Sequence, residues 1–319
     1  MKIAVVIPSF RVKKHILDVI RSIGKEVEFI FVVDDCCPES SGEYVVKHCK
    51  DKRVQVIFHK QNQGVGGAMV TGYKAALDKN AEIIVKIDGD GQMDPKLLPL
   101  FIKPIVDGEA DYTKGNRFYN PDFLARMPKL RLIGNGGLSF INKLVSGYWD
   151  IMDPTNGYTA IHKFALQMLP LDKIDKRYFF ESDMLFRLNI ARAVVTDIPM
   201  FAVYGEEESN LRIKKVLFEF PVKYLNRLFK RIFYNYFLRD FNLGSLEILF
   251  GFSFFSFGVI FGIKQWFHGY YTNTEATSGT VMVAALPIIL GFQLVLSALQ
   301  YDVLSIPKKA LVRIGNRFK

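Results

Sequence analysis

Residues 83–95 read IIVKIDGDGQMDP, an apolar run interrupted by one lysine that ends in Asp88-Gly89-Asp90-Gly91-Gln92. A short run this rich in β-branched residues predicts a buried parallel strand, and Pro95 predicts the start of the following helix. In open α/β sheets the carboxyl ends of the strands line the ligand crevice, so both carboxylates are expected at a binding site. Alternate residues of an extended segment point the same way. Asp88 and Asp90 can therefore grip one hard cation, with Gln92 on the same side. A solvated acidic turn is the alternative, but the strand before the pair and the helix after it favour a metal site.

Working outward, the upstream chain repeats the same pattern. Strands are predicted at residues 3–7, 29–33 and 54–58, with helices over 13–23, 42–49 and from the glycine cluster near 64 to 79. With residues 83–87 as the fourth strand, the β-α alternation predicts a parallel, doubly wound sheet with a nucleotide site along its carboxyl edge. The second strand also ends in carboxylates, Asp34-Asp35. Gly64, Gly66 and Gly67 suit either a phosphate cradle or a tight turn packed closely on the sheet. They match neither the dinucleotide spacing G-x-G-x-x-G nor a Walker loop. Downstream, a helix is predicted over 95–106, a strand over 112–115, an amphipathic helix pair over 123–147, a turn-rich loop over 153–158, a helix from 178 to 192 and a strand pair over 194–203. The helix pair fits a membrane surface or ordinary packing on the domain.

Charge divides the chain. Residues 212–319 carry 14 Lys+Arg against 5 Asp+Glu, whereas residues 1–211 carry 28 against 27. The basic third is also greasy, and 28 of the 319 residues are Phe. Basic and apolar together point to an anionic membrane surface, and exclude nucleic acid, whose binders spread basic residues over a polar face. Residues 213–239 mix bulky apolar residues with Lys and Arg as an interfacial helix does. Uncharged stretches of 16 residues (248–263) and 26 residues (276–301) follow, and with flanking aromatics each can cross a bilayer. The expected organisation is a catalytic domain at 1–211, an interfacial region at 212–242, and a transmembrane hairpin at 243–319 with spans near 246–267 and 278–301. Lys and Arg flank both outer ends of the hairpin and are absent from its loop. Both termini and the catalytic domain are therefore expected to be cytoplasmic. No signal peptide is expected, since Met1-Lys2 leads directly into a strand. Cys36, Cys37 and Cys49 show no metal-ligand spacing and read as reduced thiols.

These residues carry a resemblance that spans nearly the whole chain. Val6-Ile7-Pro8-Ser9-Phe10, Val32-Val33-Asp34-Asp35, the segment Asn62 to Ala76 with its glycines, Asp88-Gly-Asp-Gly-Gln-Met-Asp-Pro95, Gly115-Asn-Arg117 and Ser209-Asn-Leu211 resemble the motifs of family 2 glycosyltransferases. Within that family the chain is similar to the polyprenyl-phosphate sugar transferases, the dolichyl-phosphate mannose and glucose synthases among them. It departs from the family at Arg11-Val12, where Asn-Glu is common, and at Cys36-Cys37-Pro38-Glu39.

The resemblance implies a GT-A type, Rossmann-like, mostly parallel sheet. It implies a nucleotide-sugar donor of the UDP-glucose or GDP-mannose type, transfer with inversion, and a polyprenyl phosphate acceptor (undecaprenyl or dolichyl). Donor contacts would come from Pro8, Ser9, Asp34 or Asp35, Asn62, Gly66, Asp88 and Gly89. Asp88, Asp90 and Gln92 would hold Mg²⁺ or Mn²⁺ on the diphosphate, where it neutralises charge on the leaving group. Arg117, Arg131 and Arg212 are candidate clamps for the acceptor phosphate, because a phosphate monoester near neutral pH is already anionic and needs positioning more than deprotonation. Asp90 and Arg117 are the leading catalytic candidates. Asp153 and Asp183 could orient the sugar, act as a general base, or serve structurally. A hydroxyl acceptor on a lipid-linked or surface glycan is the second reading and would require such a base. A non-catalytic membrane scaffold is the third, and the carboxylate set argues against it. Monomer, dimer and tetramer remain open.

Overall fold

The computed structural model describes residues 1–119, 129–200 and 213–315. Two units are distinct: residues 1–228 together with 307–319, and residues 229–306. The composition-based boundaries at 211 and 243 differ from this division, because the chain after the hairpin rejoins the first unit.

The first unit is built on a seven-stranded sheet of β1 (Ile3–Ser9), β2 (Phe29–Asp34), β3 (Val54–Phe58), β4 (Ile83–Lys86), β5 (Tyr112–Asn116), β6 (Thr159–His162) and β7 (Val195–Pro199). Their order is β3-β2-β1-β4-β6-β5-β7. β1 to β4 are mutually parallel and β5 pairs parallel with β7, but β6 runs antiparallel to both neighbours. The sheet is thus mixed rather than wholly parallel. β6 is only four residues long and buried on both faces, so it carries no alternation to reveal it. Central β1 and β4 are buried on both faces and apolar except for Ser9 and Lys86, as strands covered by helices on both sides are. Because the chain winds from β1 outward to β3 and then crosses back to β4, the order reverses at the β1/β4 boundary. The carboxyl ends of those two strands flank a crevice there.

Helices α1 (Ile16–Ser22), α2 (Ser41–His48), α3 (Val65–Asp78) and α4 (Leu98–Val106) complete the N-terminal half. α3 lies close on β1. A Cβ added to Gly72 would come within 2.2 Å of Val6, so only glycine permits this approach. The expected helix at Pro95 begins as a single 3-10 turn, Pro95–Leu97, with the Asp94 carboxylate accepting from Lys96 N. Of the segment expected as a helix pair, residues 129–146 form one helix, α5 (Lys129–Ser146), and residues 120–128 lie outside the described set. Short α6 (Lys163–Gln167) and buried α7 (Phe180–Ile190) follow. Of the expected strand pair, β7 is present and its partner falls on undescribed residues.

Helix α8 (Ile213–Ile232) turns Tyr224 inward against Phe179 and Val145, while Val222 and Leu225 are exposed. α5 likewise exposes Ile133 and Phe140. In the second unit, a π-helical turn (Phe233–Arg239) precedes α9 (Leu243–Thr272) and α10 (Ser278–Leu304). α9 is closed at its start by a capping box between Asn242 and Ser245. Both helices are long and apolar enough to cross a membrane, and only 11% of the most apolar window of either is buried, unlike a soluble core helix. They pack through small residues: a Cβ on Gly258 would lie 2.7 Å from Ala284 O, and one on Gly291 would lie 2.4 Å from Phe255 N. Within the same unit, Asp302 accepts a bidentate pair from Arg231 at 2.6 and 3.0 Å and a hydrogen bond from Tyr236 at 2.6 Å.

The chain then returns to the first unit. Ala310, Leu311 and Val312 are buried, opening α11 (Leu311–Gly315). The fully buried Asp111 carboxylate accepts from Leu311 N and Val312 N at 2.9 Å each, and from Val194 N at 2.8 Å. Burial outweighs these three donors and holds the Asp111 carboxyl above its ordinary range.

Candidate active site

The β1/β4 crossover opens into a cleft of about 1040 Å³ lined entirely by residues of the first unit. Its β1 side presents Pro8, Ser9 and Arg11. Ser9 is buried, and its Oγ has no hydrogen-bond partner among the described residues. The adjacent β2 carboxylates divide in role. Asp34 accepts from Cys37 N at 2.7 Å and Gly42 N at 2.6 Å, which ties down the entry to α2 and keeps it out of the cleft lining. Asp35 lines the cleft, accepts from Gln63 N and Gly64 N, and contacts His59 Nδ1 at 2.7 Å. Asn62 lines it too, anchored by its amide on Asp35 O.

The glycine cluster resolves toward packing. A Cβ on Gly66 would stand 2.2 Å from Asp175 O, and Gly67 N donates to Lys176 O at 3.0 Å. Gly64 lines the cleft, whereas Gly66 lies beneath the 175–177 loop and does not.

The floor is the end of β4. Asp88, Gly89 and Asp90 all line the cleft, but Gln92 does not. Its backbone N–H donates to Asp90 Oδ1 at 2.9 Å, and Gly91 adopts φ +79°, so the extended alternation stops before Gln92. Among the described residues no third His, Cys, Asp or Glu completes a metal-binding group. Two carboxylates nevertheless suit Mg²⁺ or Mn²⁺, which bind through one or two carboxylates plus substrate phosphates. The missing side chain of Gly157 leaves the space open, since a Cβ there would lie 2.8 Å from Asp88 Oδ2.

Under this floor sit two buried lysines. Lys86 Nζ contacts Asp88 Oδ1 at 2.8 Å, Glu181 Oε1 at 3.6 Å and Gly157 O at 3.1 Å. Burial opposes its charge, but Asp88 and Glu181 prevail and raise its pKa. Lys114 donates to Asn156 O, and burial pushes it down to about 8 despite nearby Glu181 and Asp153. Burial also raises Asp197 to about 6.

The far side of the cleft is cationic and aromatic. Arg117 projects from the end of β5, with Nε 2.7 Å from Asp153 Oδ2 and Nη2 3.0 Å from Oδ1. Asp153 is fully buried beneath it and does not line the cleft. Asp183, in the first turn of α7, is also fully buried. It accepts from Arg187 Nε at 2.8 Å, from Asp175 N at 2.9 Å and from Arg227 Nε. Neither aspartate is placed to act on a ligand in the cleft. Glu181, two residues earlier in the same turn, does line it. Phe118, Asn135, Leu138, Phe179 and Phe220 form the remaining wall, with Arg177 and Lys223 at its rim. Arg131 lies on α5 with its side chain outside the described set, as do Arg212 and the Ser209–Leu211 motif.

Sequence reasoning thus missed Glu181, Lys86, Arg177 and Lys223. Only Lys86 left a signal, as the one charge in an otherwise apolar strand.

Comparison with known proteins follows the same lines. The sequence profile described as Glycosyl transferase family 2 matches residues 4–169. The UDP-N-acetylglucosamine–dolichyl-phosphate N-acetylglucosaminyltransferase of Methanococcus voltae is 31% identical over 237 residues, 70% of this chain and 93% of that protein. The dolichol-phosphate mannosyltransferase of Pyrococcus furiosus is 26% identical over 236 residues, 72% of this chain and 64% of that protein. Among solved structures, glucosyl-3-phosphoglycerate synthase from Mycobacterium tuberculosis, in complex with Mn²⁺, UDP and phosphoglyceric acid, superposes with a TM-score of 0.53 at 16% identity. That match covers 72% of this chain and 78% of that one, and shows a shared fold. A mixed GT-A sheet with a carboxylate floor at its crossover marks a glycosyltransferase. The chain belongs to glycosyl transferase family 2.

Proposed function

We propose that this glycosyltransferase moves a hexose, with inversion, from a nucleotide sugar to a polyprenyl phosphate at the cytosolic face of a membrane. The observation that carries this reading is the state of the two aspartates expected as candidate bases. Asp153 and Asp183 are both buried and locked by arginines, so the cleft is poorly equipped to deprotonate a hydroxyl. A phosphate acceptor requires no such base. The names of the Methanococcus and Pyrococcus relatives, both acting on dolichyl phosphate, support it.

In this reading Ser9, Asp35 and Asn62 hold the nucleoside, and the diphosphate lies against Gly89, which lines the cleft. Asp88 and Asp90 would hold Mg²⁺ or Mn²⁺, which supplies Lewis-acid neutralisation of the departing nucleoside diphosphate. Asp153 holds the Arg117 guanidinium in place, so that it meets an acceptor phosphate with little ordering cost. Arg177 adds positive charge at the rim, Lys223 is ion-paired there with Asp175, and Phe118, Leu138, Phe179 and Phe220 shelter the first isoprene units from water.

Glu181 favours a second reading, transfer to a sugar hydroxyl, because it is a carboxylate within the cleft. Its Oε1 lies 3.6 Å from Lys86 Nζ. The two readings separate in a transfer assay with Mg²⁺ or Mn²⁺ and a panel of labelled UDP- and GDP-sugars. Label in the organic phase that requires added polyprenyl phosphate supports the first; transfer only to glycan acceptors supports the second.

The exposed apolar residues of α5 and α8 suit contact with the membrane, and α9 and α10 suit a spanning hairpin. Two independent features favour a cytosolic location for both its ends. Lys and Arg flank the outer ends and are absent from the loop. Residues 307–315 also pack into the unit that carries the catalytic sheet. Thr274→Cys in the loop is expected to react with a membrane-impermeant maleimide on intact cells. Protection until the cells are opened would reverse this topology.

A further inference from the structure

Lys86 occupies a place where a lysine is expensive. It lies on β4, between β1 and β6, and is 1% exposed. An ammonium there loses its hydration and contributes nothing that an apolar residue would not do better for the sheet. What it touches is the site itself. Its Nζ stands 2.8 Å from Asp88 Oδ1 and 3.6 Å from Glu181 Oε1, with a third contact to Gly157 O at 3.1 Å. Asp88, Glu181 and Gly157 all line the cleft, as does Lys86.

The geometry points to Lys86 as a resident cation of the metal site. Its ammonium holds Asp88 and Glu181 and disfavours binding of a bare divalent ion, so that the ion enters together with the diphosphate of the donor. This rests on Asp88 and Asp90 being the metal-holding pair. Lys86 Nζ, 2.8 Å from Asp88 Oδ1, offsets one of the two charges of the Asp88–Asp90 pair and leaves that pair with one net negative charge, too little to retain a divalent ion without further oxygen ligands. The diphosphate supplies both the missing charge and the missing ligands. Without the lysine, Asp88 and Asp90 would both face a divalent ion uncompensated, and bare metal would bind more tightly. Lys86 is thus a positioning residue acting through Asp88, and it makes metal binding conditional on the donor.

The test is Mn²⁺ binding, followed by the loss of the free-ion electron paramagnetic resonance signal on the purified full-length protein, with and without UDP or GDP. Wild type is expected to bind Mn²⁺ alone at least about tenfold more weakly than in the presence of a nucleoside diphosphate. Lys86→Met and Lys86→Gln are expected to bind Mn²⁺ alone about tenfold or more tightly than wild type, while Lys86→Arg, which keeps the charge, stays close to wild type. Gln retains a donor toward Gly157 O, which guards against a variant that merely fails to fold. If neither neutral variant folds, the wild-type comparison decides alone. Equal affinity in wild type with and without nucleotide overturns the proposal, as does unchanged or weaker binding of bare Mn²⁺ by a folded neutral variant. A wild-type protein that binds no Mn²⁺ in either condition overturns the metal site itself, a different failure from tight binding that ignores the nucleotide.

Discussion

Asp90→Ala is expected to lower transfer by about a thousandfold or more while leaving the thermal unfolding midpoint nearly unchanged. Removing one group that stabilises charge developing on a leaving group typically costs roughly a hundred- to a thousandfold, and a lost metal carboxylate belongs at the upper end. The local structural cost is expected to be small, because Asp90 is half-buried in the turn after β4, where its Oδ1 accepts from Gln92 N at 2.9 Å. Asp183→Asn is expected to do the reverse. It weakens a buried carboxylate shared by Arg187 and Arg227, a change worth about 3–5 kcal/mol of folding stability when one partner of a buried pair is lost. Activity and unfolding measured side by side separate the two. Retained transfer in a folded Asp90→Ala protein would remove the metal assignment. A stable but inactive Asp183→Asn protein would restore Asp183 as a candidate base.

The second large effect lies far from the cleft. Deleting residues 307–319, or replacing Asp111 by alanine, is expected to destabilise the catalytic unit. Asp111→Ala leaves Val194 N, Leu311 N and Val312 N without their shared acceptor in a site closed to water. Each orphaned donor costs about 1–3 kcal/mol, so a loss of roughly 3 kcal/mol or more is expected. The deletion also uncovers the surface now covered by Ala310, Leu311 and Val312. Thermal unfolding and limited proteolysis of the first unit are the measurements, and wild-type values for both proteins would show the tail to be dispensable. The physical consequence is that the chain is fastened to its catalytic unit on both sides of the hairpin, through α8 before it and α11 after it.

How much of this was legible in the sequence depends on the range of the interaction. β4 and its carboxylates were readable because a β-branched run followed by Asp-Gly-Asp-Gly is a local signal. α9 and α10 were readable because a bilayer sets a length and a composition. The amphipathic character of α5 was seen from its apolar residues among basic and small ones. β6 was hidden by its brevity and two-sided burial. Gln92 was misplaced because strand alternation was carried past a glycine turn with positive φ. Asp183 looked catalytic because a residue type says nothing about a partner 44 positions away, here Arg227. For the same reason the role of Asp111 was invisible: its amide donors lie 200 and 201 positions further on. The cleft's floor was local and legible; its counter-charges were not.

The most direct measurement of the central claim compares one acceptor with and without its phosphate. Purified protein, a divalent metal and the accepted nucleotide sugar are supplied with polyprenyl phosphate or with the matching polyprenol, and the lipid products are weighed by mass spectrometry. The account predicts that polyprenyl phosphate gains the mass of one hexose and that polyprenol stays unmodified. Glycosylated polyprenol, or polyprenyl phosphate left unmodified with every donor tried, would contradict it.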